Sequence, residues 1–176
     1  MAVIRRILRQ TTRSDNTLNT SDSLLDYASQ NNIKTDPLDL EALASSLKIK
    51  IKKIERQDDI SGMLFKKDNN YIIEINSLNH LRRQRFTLAH ELAHFCLHRH
   101  LNTAFKDVVF FRGADQSIEE IQANDFASKL VMPEKKFREA VAQGKNSIEQ
   151  LSDLFQVSSL AVRVRAKNLG FSGHGL

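Results

Sequence analysis

The chain has 176 residues, 41% hydrophobic and 27% charged, with a formal net charge of +5; this suits one soluble domain, or one with a small appendage, able to bury a core unaided. A single cysteine excludes an internal disulfide, and hence a disulfide-built secreted scaffold. No run of 18 apolar residues occurs, so no transmembrane helix is expected, and the Arg-rich start lacks the apolar core and cleavage site of a secretory signal. A reducing, cytoplasmic setting is the expectation, and the positive charge permits nucleic-acid contact without establishing it.

Residues 1–21 read as an N-terminal arm, polar and aperiodic from Thr11 to Ser21. A helix is predicted from Asp22 to Gln30 with Leu24, Leu25 and Ala28 inward, and another from Asp39 to Leu47 with Leu40, Leu43 and Leu47 on one face. The period then changes. Ile49 and Ile51 alternate with Lys48, Lys50 and Lys52, as in a half-buried strand with a solvated lysine face. Gly62 to Phe65 and Tyr71 to Ile75 read as two further strands, made a hairpin by the turn residues Lys67 to Asn70. From Leu81 to Arg99 the period is helical. Phe86, Ala89, His90, Ala93, His94 and Leu97 form one uncharged stripe, whose alanines leave room for a neighbouring helix. A short strand is predicted at Val108 to Phe111. Helices follow at Ser117 to Leu130, Pro133 to Gln143, Ser147 to Phe155 and Ser159 to Leu169, with Gly144 and Gly170 as stops.

His90-Glu91-Leu92-Ala93-His94 is H-E-x-x-H. Four residues is about one helical turn, so both imidazoles can take adjacent corners of one zinc ion. Glu91 then stands on the flank, where a carboxylate takes a proton from water and passes it to a leaving amine. One buried histidine is ordinarily a hydrogen-bonded core residue; two at ligand spacing beside a carboxylate favour metal. A third ligand is needed. His100 has the spacing of zincins that turn at a glycine, but position 97 is Leu97, and an unbroken helix carries His100 about 9 Å along the axis beyond His94. His98 fails similarly, and both read as surface histidines. The other source is the helix opening at Ser117, where Glu119 and Glu120 both qualify by phase and where Ser117 with Glu120 is also a capping box.

Arg82 to His98, with its H-E-x-x-H, and Glu120 to Pro133, Glu-Ile-Gln-Ala-Asn-Asp-Phe-Ala-Ser-Lys-Leu-Val-Met-Pro, together resemble the ImmA/IrrE zinc metallopeptidases. In that family a segment E-x-x-A-N/D-x-F-A-x-x-L-x-M-P follows the histidine motif. Ile60-Ser61-Gly62 and Ile73 to Asn76 match its strand elements, and the likeness covers roughly residues 22–171. It implies an α+β, zincin-like fold: a small antiparallel sheet against the H-E-x-x-H helix, with a helical C-terminal region. It implies Zn²⁺ held by His90, His94 and Glu120, with Glu91 as catalytic base and Asn124 orienting a ligating histidine. It further implies cleavage of a helix-turn-helix repressor, relieving repression of stress-response or mobile-element genes. The expected division is a core of residues 22–133 and helices over 134–176. The C-terminal sensor domain of larger relatives has no counterpart before Leu176. Candidate oxyanion donors are Tyr71, His80 and His100, and Cys96 reads as a packing residue.

A second function class competes. Residues 147–170 fit a helix-turn-helix, with Arg163, Arg165 and Lys167 on the second helix, where a recognition helix meets DNA. The chain would then be a non-proteolytic protein that docks on a repressor or contacts DNA, with a structural zinc. Structural zinc sites are usually closed by four protein ligands, whereas three good ligands and a carboxylate in the base position favour an enzyme.

Overall fold

Capping sets the first helices. A computed structural model describes residues 18–100, 104–108 and 117–171; most of the predicted arm lies outside them. The Thr20 hydroxyl accepts the N–H of Ser23 and starts α1, Ser21–Gln30, which buries Leu24 and Ala28. The Asp39 carboxylate likewise accepts the N–H of Ala42 and starts α2, Leu40–Ser46.

The lysine-isoleucine alternation forms β1, Ile49–Ile54, followed by β2, Ile60–Lys67, and β3, Asn70–Asn76. Asp68 and Asn69 both take positive φ, 48° and 63°, so β2 and β3 close through a two-residue turn as expected. The sheet is mixed, however, rather than antiparallel throughout. Its order is β1-β3-β2-β4, with β4 at Ala104–Val108, and β1 joins β3 in parallel with Ile51 opposite Ile73. The cause is the connection after β1, which passes the end of β3 so that β2 enters on the far side. Buried Asn76 pins this crossing: its Oδ1 accepts from the N–H groups of Arg56 and Leu78, and its Nδ2 donates to the carbonyls of Arg56 and Ile60. Alternation identifies a strand but carries no information about its partner. The fourth strand precedes its predicted place, Val108 to Phe111, of which only Val108 is among the described residues.

The long helix α3, Leu81–His98, buries its predicted stripe against β2 and β3, where Leu64, Ile73 and Ile75 meet the core with Leu88 and Leu92. The approach is closest at Gly62. A Cβ there would lie 2.4 Å from Thr87 Cγ2 and 2.8 Å from Glu91 Oε1. The pairing of β2 with β4 shifts register between Ile60 and Gly62, and the buried hydroxyl of Ser61 at that irregularity accepts from the guanidinium of Arg83 at 2.7 Å.

Four helices follow: α4 Ile118–Val131, α5 Glu134–Ala142, α6 Ile148–Phe155 and α7 Ser159–Asn168. They match their predicted spans to within a few residues. α4 lies along α3, and Ala89 and Ala93 of α3 and Ala123 and Ala127 of α4 are fully buried. Phe137 of α5 stacks on Phe155 of α6 with ring centroids 5.7 Å apart. Arg82 of α3 reaches α6, donating to the Ser152 hydroxyl at 2.6 Å and pairing with Asp153. One apolar cluster therefore runs from Leu24 to Ala166. Among the described residues no helix is long and apolar enough to cross a membrane.

The β2–α3 contact gives a test. Thr87 is itself fully buried and has no space to move into, so Gly62→Ala should cost about 1–3 kcal/mol as overpacking. For a chain of this size that lowers the melting temperature by roughly 2–12 °C. An unchanged melting temperature would mean that β2 does not press on α3.

Candidate metal centre

The helical spacing works as the sequence suggested. The Nε2 atoms of His90 and His94 lie 2.9 Å apart, and the two residues are 0% and 1% exposed. Glu120 reaches them from the first turn of α4, with Oε2 3.2 Å from His90 Nε2 and Oε1 3.1 Å from His94 Nε2. Its side chain, 29% exposed, is the member of the cluster nearest solvent. Of the two glutamates, Glu119 is turned elsewhere: hydrogen bonds with its own backbone and with Ser117 hold its carboxyl below the usual range. The Ser117 hydroxyl accepts from the Glu120 N–H at 3.3 Å, so the helix is capped while the Glu120 carboxylate stays with the histidines.

Electrostatics sort the protonation states. Burial disfavours imidazolium and lowers the pKa of His90, opposed by Glu120 and Asn124. Burial alone would raise the Glu120 carboxyl, but hydrogen bonding and Coulomb attraction at His90 and His94 outweigh it and hold the group well below the carboxylate range. Neutral imidazoles and an ionised carboxylate are the states in which these groups bind metal. All three ligand atoms lie within 4.8 Å of one another. Imidazole nitrogens and carboxylate oxygens brought this close share a hydrogen or a cation. Two imidazoles and one carboxylate are a donor set suited to zinc.

Glu91 is fully buried, with its carboxylate beneath β2 at Gly62. It thus leaves the helix on the sheet side, next to His90. Asn124, one turn beyond Glu120, places Oδ1 3.1 Å from His90 Nδ1. That contact fits the expected orienting role, because an amide oxygen facing Nδ1 takes its hydrogen and leaves the lone pair on Nε2.

The remaining candidates separate. His80 is the N-cap of α3, its Nδ1 accepting from the Arg82 N–H, and ten residues of helix place it about 15 Å along the axis from His90. Tyr71 packs edge-on against Phe95 at 4.9 Å. His100 is exposed beyond the end of α3. Cys96 packs against the core, and burial pushes its thiol up to about 12. His98 departs from its reading as a surface residue. It is 3% exposed, its Nδ1 is 3.1 Å from His94 Nδ1 and its Nε2 is 3.0 Å from Gln122 Oε1. Burial lowers its pKa. The signal was present in the spacing of His90, His94 and His98, each four residues after the last. Distance along the helix was the wrong criterion for a residue that meets the far nitrogen of His94.

The sequence pattern of the IrrE N-terminal-like domain, a peptidase family, matches residues 44–167. The chain belongs to that family. Metallopeptidase ImmA of Bacillus subtilis (strain 168) is 36% identical over 106 residues, 60% of this chain and 60% of that protein. The match therefore spans less than two thirds of the relative's length. The family pattern takes in both halves of the cluster, the histidine pair of α3 and the glutamate of α4, and so bears out the resemblance read from the two motifs.

Metal content tests the grouping directly. The chain should retain about one zinc ion after dialysis, and His90→Ala, His94→Ala and Glu120→Ala should each lose it, while Glu119→Ala and His100→Ala keep it. Elemental analysis of the folded variants reads this out. Retention by Glu120→Ala with loss from Glu119→Ala would reverse the choice of glutamate.

Proposed function

We propose that this chain is a zinc-dependent endopeptidase, with His90, His94 and Glu120 holding the ion and Glu91 acting as general base. The supporting observation is the convergence of two buried imidazoles and a carboxylate, with Glu91 buried next to His90 in the chain. Zinc bound there would supply a Lewis acid for the scissile carbonyl and a more acidic water. Glu91 takes the proton of the attacking water and delivers it to the departing nitrogen. Its position beneath β2 shields that carboxylate from bulk solvent, and the missing Cβ of Gly62 leaves it space. The catalytic groups are assigned to the core of residues 22–133, with the helices of 134–176 bracing α3 through Arg82.

The substrate we infer is a helix-turn-helix repressor in the cytoplasm, cut once in a flexible linker or exposed end, so that repression of stress-response or mobile-element genes is relieved. The motif resemblance supports this choice. A cleaved segment must lie extended, and β4, next to β2 and last in the sheet among the described residues, offers an edge for main-chain pairing. A packed helix cannot lie that way without first unfolding locally. The DNA-contact reading has lost one of its three cations: Arg165 is 4% exposed, and its Nε donates to the Met132 carbonyl at 3.1 Å. Arg163 and Lys167 remain exposed on α7.

Glu91→Gln separates base catalysis from folding and metal binding. It should keep the zinc and lower the cleavage rate by ~10²–10⁴. The assay incubates zinc-loaded chain with a candidate repressor and reads fragment masses. Near-normal cleavage by Glu91→Gln would sink the mechanism. Tight stoichiometric binding without any cut would favour the docking protein, and rapid digestion of unrelated unfolded proteins a general peptidase.

A further inference from the structure

Each proposed histidine ligand has a second ring nitrogen, and what that nitrogen meets decides where the lone pair points. For His90 the partner is the amide oxygen of Asn124. For His94 the partner is another imidazole: its Nδ1 faces His98 Nδ1 at 3.1 Å. Two imidazole nitrogens at that distance form a hydrogen bond only if one bears the hydrogen and the other the lone pair. His98 decides which, and its own far nitrogen, Nε2, meets Gln122 Oε1 at 3.0 Å. An amide oxygen only accepts. His98 therefore carries its hydrogen on Nε2. A His94 that binds through Nε2 carries its hydrogen on Nδ1, and His98 Nδ1 is placed to accept it. The hydrogen on His98 Nε2 and the hydrogen on His94 Nδ1 then fit one continuous chain, and His94 Nε2, facing His90 and Glu120, is left as the ligand atom.

We propose that His98 and Gln122 are positioning residues, a two-step hydrogen-bond relay that sets the tautomer and ring orientation of His94. The inference rests on the reading of His94 as a ligand. Asn124 on His90 and Gln122 acting through His98 then perform one task from the same helix, α4. That helix also supplies Glu120, so a single packed element delivers one ligand and orients the other two. The arrangement explains why a histidine that cannot reach the ion is buried on the ligand face. It also explains why Gln122, on the exposed side of α4, has a specific role.

The test uses the full chain and two measurements: zinc affinity against a chromophoric chelator, and ¹⁵N NMR of the histidine rings in zinc-free protein. In the wild type, His94 should carry its hydrogen on Nδ1. Gln122→Met keeps length and removes the acceptor, and being at an exposed position it should fold. It should give a mixture of His94 tautomers and weaker zinc binding. Gln122→Glu, which retains an acceptor oxygen, should restore both. His98→Phe should weaken zinc by roughly 10–100-fold, the usual effect of removing such a partner. A wild-type His94 protonated on Nε2 would overturn the relay. So would unchanged zinc affinity in both Gln122→Met and His98→Phe while His94→Ala still abolishes binding. Full affinity in His94→Ala would instead overturn the ligand assignment, and the relay with it.

Discussion

Three electron-rich groups are held together at one point between α3 and α4, and this arrangement governs the rest of the molecule. Two imidazole nitrogens lie 2.9 Å apart, each about 3 Å from a carboxylate oxygen. Packing brings them together. The helices meet over buried alanines, and shorter side chains allow the close approach that lets Glu120 span both histidines. The cost of the buried polar groups is met by apolar contact elsewhere along the same two helices, where Leu88, Leu92, Phe126 and Leu130 are buried. Such a site is stable without metal only to the extent that its surroundings hold it, and a bound cation adds to the stability of the folded state by mass action.

The sheet contributes in a different way. β2 and β3 form the floor against which α3 is fixed, and at Gly62 the floor comes so close that no side chain fits. That contact confines the Glu91 carboxylate to one region beside His90. The C-terminal helices act from the other end. Arg82 ties α6 to the first turn of α3, and Phe137 and Phe155 fill the space behind it. The helix that carries H-E-x-x-H is thus held on the sheet face, along α4 and at its N-terminus, so packing fixes where His90 and His94 stand.

Much of this was readable from the residues. The uncharged stripe with its alanines announced a buried helix packed on another, and the His90 and His94 spacing announced two imidazoles side by side on it. The choice between Glu119 and Glu120 was not available from helical phase. It came from the motif; in the structure Glu120 faces the two histidines, while Ser117 and its own backbone engage the Glu119 carboxyl. The parallel pairing of β1 was hidden, since alternation along Ile49 to Ile54 is the same for either direction and the crossing depends on the side chain of Asn76, twenty residues beyond Arg56. His98 was misplaced for a related reason. It is buried against the Gln122 side chain of α4, a tertiary contact that no period in the sequence encodes. Arg165 looked like a surface cation because its helix bears Arg163 and Lys167 as well; only packing shows its guanidinium turned inward to Met132.

X-ray absorption at the zinc edge of the metal-loaded chain tests the central claim most directly. Two imidazole nitrogens at about 2.0–2.1 Å and oxygen at about 2.0–2.2 Å, with a total coordination of about four and no sulfur, are the values expected for a His90, His94 and Glu120 centre that keeps an open position. A sulfur shell near 2.3 Å, which would bring Cys96 into the site, or a third imidazole in place of the carboxylate, would contradict it.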